Sequence, residues 1–132
     1  MNKNTLQQRV SRSIERTVKL DNGIRFLCAH HRDWVYFHSQ EALENLEQMQ
    51  LKGEFLLEHQ KWVEALPLLG CAWEISEILL ELYNDETTFL VNRFGCLTML
   101  LCSCLKKMGH HDCAEQIILQ VQSSSRPMAL QM

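Results

Sequence analysis

Residues 53–72 read GEFLLEHQKWVEALPLLGCA, and this stretch decides the fold. It places Ala65, Leu69 and Ala72 at the spacing that brings side chains onto one face of a helix. A polar break precedes that face, and another apolar helical pattern precedes the break. Residues 102–121, CSCLKKMGHHDCAEQIILQV, repeat the arrangement. Each stretch therefore predicts the turn and the packed face of two antiparallel helices.

The two stretches resemble the tetratricopeptide repeat, a family built from stacked pairs of helices. The family places a small and a bulky residue on its first helix, an aromatic residue at the turn, and Ala, a large apolar residue and Ala on its second helix. The first stretch carries this pattern at Gly53, Leu56, Trp62, Ala65, Leu69 and Ala72. The second carries it at Leu101, Cys102, Leu105, Gly109, His110, His111, Ala114, Ile118 and Val121. The resemblance implies a module that binds another protein.

The pattern departs from the family in its period and at several positions. Ala65 and Ala114 are 49 residues apart, whereas the family repeats about every 34 residues. Four family positions hold other residues, namely Lys52 for Leu, Thr98 for Trp, Cys102 for Gly and Val121 for the second Ala. An unrelated helical bundle is therefore the alternative architecture.

The chain predicts a single all-α domain over residues 1–122, with antiparallel helix pairs stacked as a short tetratricopeptide-like array or a helical bundle. Within it we expect a basic amphipathic helix over residues 1–20 and helix pairs over residues 39–83 and 87–122. Residues 123–132, which begin with three serines, predict a disordered tail.

Residues 20–38 leave two structures open. A turn signal at Asn22 and Gly23 is followed by aromatic and β-branched residues, which allow a short hairpin. We prefer a helix after the turn, because two isolated strands would be marginally stable. Trp34 and Tyr36 form an aromatic patch here, which belongs either to the core or to a partner-binding site.

Charge is unevenly distributed within a net charge of −3. Residues 1–38 carry seven basic and three acidic side chains, whereas residues 39–86 carry two basic and eleven acidic ones. The simplest expectation is that the basic N-terminal helix docks on the acidic middle, within one chain or between two. The alternative is a regulatory protein that contacts nucleic acid through this helix, which we regard as the weaker choice.

The resemblance also implies where a ligand binds, because the first helix of a tetratricopeptide unit lines the ligand side. The partner-binding stripe would consist of Glu47, Gln50, Glu54, Leu57 and Glu58. Family members that clamp a carboxyl terminus use Lys, Asn and Arg there, whereas this stripe is acidic. We therefore expect an adaptor or small chaperone that binds a basic or amphipathic helical segment of another protein. A solvated helix face without a partner is the alternative.

The sequence predicts no catalysis, no cofactor and no metal site, because it has no phosphate-binding glycine loop and no recognisable nucleophile motif. A metal- or thiol-responsive sensor that uses Cys102, Cys104 and Cys113 is a further alternative. With so few helix pairs the end faces of an array stay apolar, so we also expect a homo-oligomer.

A cytoplasmic location without a membrane span is the remaining expectation. The first nineteen residues are polar and basic, unlike a secretory signal. The most apolar run, residues 94–105, is short for a membrane span and is bracketed by Arg93 and Lys106. We expect the six cysteines to be free thiols.

Overall fold

The computed structural model describes residues 24–83 and 88–123, which are 85% helical and contain no strand. They form the helices α1 (Ala29–Phe37), α2 (Ser39–Glu58), α3 (Trp62–Leu82), α4 (Thr88–Lys107) and α5 (His111–Gln122). These helices pack against each other, which confirms the predicted all-α fold. The predicted basic helix over residues 1–20 and, beyond Ser123, the predicted tail lie outside the described residues.

Two helical hairpins make up most of the fold. α2 and α3 form the first hairpin and α4 and α5 the second, while α3 packs on α4 and joins them. α2 also touches α4, and α1 rests on α2 and α3. Of the two structures left open for residues 20–38, the helix is observed as α1, preceded by non-helical residues 24–28.

The turns of the two hairpins share one backbone geometry, 49 residues apart. Gln60 has φ 59° and Gly109 has φ 84°, both in the left-handed region. In each turn the N–H of the following residue, Lys61 or His110, donates to the carbonyl five positions earlier at 2.8 Å. This is the Schellman arrangement, which satisfies carbonyl groups at the end of a helix. The sequence repeat is therefore matched by a repeated turn.

Small residues lie where the helices of each hairpin cross. Ala65 and Ala114 are both 0% exposed. A Cβ atom added to Gly53 would lie 2.7 Å from Leu69, so α2 and α3 approach as closely as these side chains allow. At the equivalent place in the second hairpin, the Cys102 thiol lies 3.6 Å from the Ala114 carbonyl. Larger side chains would push the helices apart.

The interface between the hairpins is a closed aromatic cluster. Trp73 and Phe94 are buried and stack with ring centroids 5.9 Å apart. The Trp73 indole N–H donates to the Thr98 hydroxyl (3.0 Å), which donates to the Phe94 carbonyl (2.8 Å). Both buried donors are therefore satisfied inside the core.

A buried carboxylate holds the N-terminal segment against α3. Glu74 is 0% exposed, and its side chain accepts the backbone N–H groups of Phe26 (2.5 Å) and Leu27 (3.1 Å) and the Arg32 guanidinium. A buried charge is tolerated when it is paired and hydrogen-bonded in this way. The Phe26 ring occupies the space that a Cβ at Gly70 would need.

Among the described helices, α4 is long and apolar enough to cross a membrane by length and composition, with a mean hydropathy of 1.5. Half of its most apolar window is buried inside the bundle. Because the core helix of a soluble protein passes the same test, this is weak evidence for a span.

Candidate protein-binding face

An apolar pair is exposed in the second half of α2. Leu51 is 69% exposed and Phe55 is 58% exposed. Because they are four residues apart, the two side chains are neighbours on the helix surface. The Phe55 ring also lies against the His59 ring, with centroids 4.3 Å apart. Two adjacent large apolar side chains in solvent are a candidate contact surface.

Four glutamates border this pair along the same helix. Glu44 and Glu58 are exposed, and Glu47 and Glu54 are half-buried. Helical periodicity places all four within about 60° of Leu51 around the helix axis. Carboxylates therefore lie along one side of the apolar pair and beyond its ends, and the exposed Lys52 lies on the other side.

The exposed surface extends from α2 to α4, and hydrogen bonds of Gln50 join the two helices between them. The Gln50 side chain accepts a hydrogen bond from Arg93 (2.9 Å), and its amide nitrogen lies 3.7 Å from the Cys96 thiol. Phe89 is 46% exposed beneath the Arg93 guanidinium, and Met99 is 56% exposed one turn after Cys96. We name this surface the α2–α4 face, and it consists of Glu44, Glu47, Leu51, Glu54, Phe55, Glu58, Phe89, Cys96 and Met99.

The stripe expected from the sequence is narrower in the structure. Glu47, Glu54 and Glu58 lie on the α2–α4 face. Gln50, however, is only 8% exposed, because its amide fastens α2 to α4. Leu57 is partly buried and packs against the core. Gln50 therefore serves helix packing and does not line an open surface, whereas a role for the partly exposed Leu57 in partner binding stays a prediction.

Trp34 and Tyr36 lie elsewhere. Trp34 is half-buried and stacks on His38, with ring centroids 5.2 Å apart. Tyr36 is 39% exposed, and its hydroxyl donates to Glu81 at 2.9 Å. Burial, followed by the hydrogen bond to Glu81, raises the pKa of Tyr36.

Trp34 borders a groove of about 510 Å³ between α1, α2 and α3. We name it the α1 groove, and it is lined by Leu27, His30, His31, Trp34, Val35, Asn45, Met49, Cys71 and Ile75. α2 contributes Asn45 and Met49, which lie at least about 120° around the helix from Leu51. The structure therefore separates the aromatic patch from the acidic stripe.

Sequence reasoning missed the apolar members of the α2–α4 face. A signal was present for Leu51 and Phe55, because the inward face of α2 is set by Leu46, Gly53 and Leu56. Leu51 lies about 140° from Leu46 and about 160° from Gly53 around the helix, so it had to face away from the core.

The thiols range from exposed, as at Cys28 and Cys96, to buried, as at Cys102 and Cys104. All six cysteines are free. Cys102 bonds to the Ala114 carbonyl, whereas Cys104 donates to the Trp62 carbonyl at 3.3 Å. Burial raises the pKa of both thiols to about 11. In the described part of the chain, no group of three or more His, Cys, Asp or Glu residues is arranged to hold a metal ion.

Comparison of the chain with models of protein families, with curated proteins and with solved structures finds no match. The tetratricopeptide resemblance therefore rests on the quoted residues and on the repeated hairpin geometry. The fold and the site define an all-α protein of two packed hairpins, with an exposed apolar pair on α2 that has glutamates beside it.

Proposed function

We propose that the chain is a non-catalytic protein-binding module whose α2–α4 face holds a basic or amphipathic helical segment of another protein. The observation that carries this proposal is the exposed pair Leu51 and Phe55 with four glutamates beside it on the same helix. An amphipathic helix can bury its apolar stripe on the pair and direct Lys or Arg side chains at the carboxylates.

We also propose that the two hairpins are divergent tetratricopeptide-like units. The turns at Gln60 and Gly109 and the crossings at Ala65 and Ala114 support this, because each pair is offset by 49 residues. In such an array the first helices of neighbouring units line up, as α2 and α4 do through Gln50. An adaptor or small chaperone in the cytoplasm fits this arrangement.

The state of the thiols supports a role without catalysis. Burial raises the pKa of Cys71, Cys102 and Cys104 to about 11. A thiol with so high a pKa is almost wholly protonated at neutral pH and is a poor nucleophile. Free thiols are also in keeping with a reducing compartment.

The test uses a synthetic helical peptide with Leu on one face and Lys on the other, labelled for fluorescence anisotropy. Glu54→Lys combined with Glu58→Lys is expected to weaken binding of this peptide by about tenfold or more, because attraction becomes repulsion. Helicity should be unchanged, since Glu58 is exposed and Glu54 is only half-buried.

The matched control is Glu64→Lys combined with Glu115→Lys, which changes the net charge equally at exposed positions of α3 and α5. The control should bind the peptide nearly as well as the original chain. Equal affinity of both double variants for the peptide would show that the α2–α4 face is not the binding site.

A further inference from the structure

We infer that Cys28 and His31 form a reactive thiol site, which takes up an apolar α,β-unsaturated carbonyl compound through a covalent bond to the Cys28 sulfur. The site is separate from the α2–α4 face, so the inference goes beyond the proposed function. Each chain reacts once with such a compound, which makes Cys28 a modification site and not a catalytic residue.

The Cys28 sulfur has a base within hydrogen-bonding distance. Its Sγ lies 3.1 Å from Nδ1 of His31, which is one helical turn further along the chain, and both residues are exposed. When Nδ1 is unprotonated the thiol donates to it, and after the proton has passed to the ring the imidazolium donates to the thiolate. A nucleophile and a base at this separation are the pair that activates a cysteine.

The start of α1 accommodates a negative charge on this sulfur. Cys28 is the N-cap of α1, and its side chain makes no capping hydrogen bond. The first turn of α1 contains no acidic residue, so the unbonded N–H groups at this end face no carboxylate of the same turn. Glu74, which accepts the N–H of Leu27, is paired with Arg32. No unpaired carboxylate of this turn therefore opposes a thiolate at Cys28 during the reaction.

Two other thiols show what sets Cys28 apart. Cys96 is also exposed, but it lies in the middle of α4, and its sulfur is 3.7 Å from the amide nitrogen of Gln50, which is not a base. Cys71 lines the α1 groove, but burial raises its pKa to about 11, so this thiol stays protonated at neutral pH. Exposure together with a neighbouring imidazole therefore distinguishes Cys28 from both.

The α1 groove adjoins the pair and indicates the class of ligand. Cys28 does not line the groove, but Leu27 before it and the His31 ring beside its sulfur both do, so the sulfur lies at the rim. Most of the other lining side chains are apolar, and none of the described residues that line the groove is Asp, Glu, Lys or Arg. An uncharged, apolar tail on the sulfur can therefore bury itself against this wall, whereas a charged tail would find no partner there.

The reaction needs no further reactant. The Cys28 sulfur adds to the β-carbon of the conjugated double bond, so a carbon–sulfur bond forms while the carbon–carbon π bond breaks. The electron pair passes to the carbonyl oxygen as an enolate, and the proton that His31 took from the thiol ends on the α-carbon. The product keeps every atom of both reactants, so the mass of the chain rises by the whole mass of the compound.

The test measures the rate at which each cysteine is modified, by mass spectrometry of peptides taken at successive times. The probes are methyl propenyl ketone and methyl heptenyl ketone, which differ only in the length of the alkyl tail, and each rate is divided by that of free cysteine with the same probe. With the short-tailed ketone Cys28 should react about tenfold faster than Cys96. The longer tail should raise the relative rate of Cys28 by about fivefold or more, because additional methylene groups leave water.

The role of the base is tested by a matched pair of variants. His31→Gln should slow the modification of Cys28 by about tenfold, because an amide takes up no proton from the thiol. The control is His30→Gln, which removes an adjacent exposed imidazole that also lines the α1 groove and should leave the rate unchanged. Circular dichroism should show both variants folded, since neither side chain is buried.

Four results would overturn the inference. They are a Cys28 that reacts no faster than Cys96, a His31→Gln variant that keeps the rate of Cys28, a His30→Gln variant that slows as much as His31→Gln, and equal relative rates of Cys28 with the two ketones.

Discussion

Gln60 and Gly109 occupy the same left-handed position in two equivalent turns, but only one of them is a glycine. A side chain in this conformation brings Cβ close to the backbone, which glycine avoids. The first turn therefore carries a local cost that the second does not, although both close the same hydrogen bonds.

Gln60→Gly should stabilise the chain by about 0.5–1 kcal/mol, the relief of the left-handed strain less the extra flexibility of an unfolded glycine. Gly109→Ala should destabilise it by about 1 kcal/mol for the converse reason. Urea unfolding followed by circular dichroism measures both changes. A loss of stability in Gln60→Gly would contradict the turn geometry.

The thiols give a prediction that depends on pH. Burial raises the pKa of Cys102 and Cys104 from 9.0 to about 11, so the folded chain keeps these protons more tightly than the unfolded chain. The stability that this contributes is complete below pH 9 and is lost as the pH rises towards 11.

At pH 8, iodoacetamide should therefore modify the exposed Cys28 and Cys96 before it modifies Cys102 and Cys104. Mass spectrometry of peptides taken at successive times gives the order. If Cys102 or Cys104 reacted as fast as Cys28, the enclosed position of these thiols would be wrong.

In each helix the three- and four-residue spacing of apolar side chains determines which side packs against the core. On α2 the inward residues Ala42, Leu46, Gly53 and Leu56 contrast with the outward pair Leu51 and Phe55. The hairpin depends on the close crossing at Ala65, which is wholly enclosed.

Ala65→Leu should destabilise the fold by about 3 kcal/mol, because the added carbons have no space at the crossing. The control is Glu64→Leu, an exposed neighbour in the same turn of α3, which should change the stability by less than about 0.5 kcal/mol. Thermal unfolding followed by circular dichroism compares the two. Equal melting temperatures of the two variants would show that α2 and α3 do not cross closely at Ala65.

The helices and their turns could be predicted because they depend on neighbours in sequence. The three- and four-residue spacing around Ala65 and Ala114 predicts the faces, and the polar residues before them predict the breaks. The two sides of α2 follow from the same periodicity. Local spacing thus accounts for the all-α class and for the position of the glutamates.

The contacts between distant segments could not be predicted in this way. Glu74 accepts hydrogen bonds from Phe26 and Leu27, which lie 48 and 47 positions earlier in the chain. No residue near Glu74 in the sequence indicates these hydrogen bonds. In the sequence Gln50 resembles a polar surface residue, and its hydrogen bond with Arg93 is seen only in the structure. Which polar side chains are used inside the fold therefore becomes visible only when the helices are packed.

At the scale of the whole molecule, acidic charge and exposed apolar area lie side by side on α2. The acidic middle of the chain supplies α2, and four of its glutamates lie beside the exposed pair on the α2–α4 face. The α1 groove, with His30, His31 and Trp34, lies on another side and lacks this acidic border. These two surfaces are the candidate binding sites that we compare.

Nuclear magnetic resonance can show whether the peptide binds the α2–α4 face or the α1 groove. The ¹⁵N-labelled chain is titrated with the unlabelled form of the helical peptide that carries Leu on one face and Lys on the other, and the amide shifts are followed. We expect changes concentrated on residues 44–58 of α2 and residues 89–99 of α4. Changes confined to residues 30–36 of α1 and the groove beneath them, or no changes at all, would contradict this expectation.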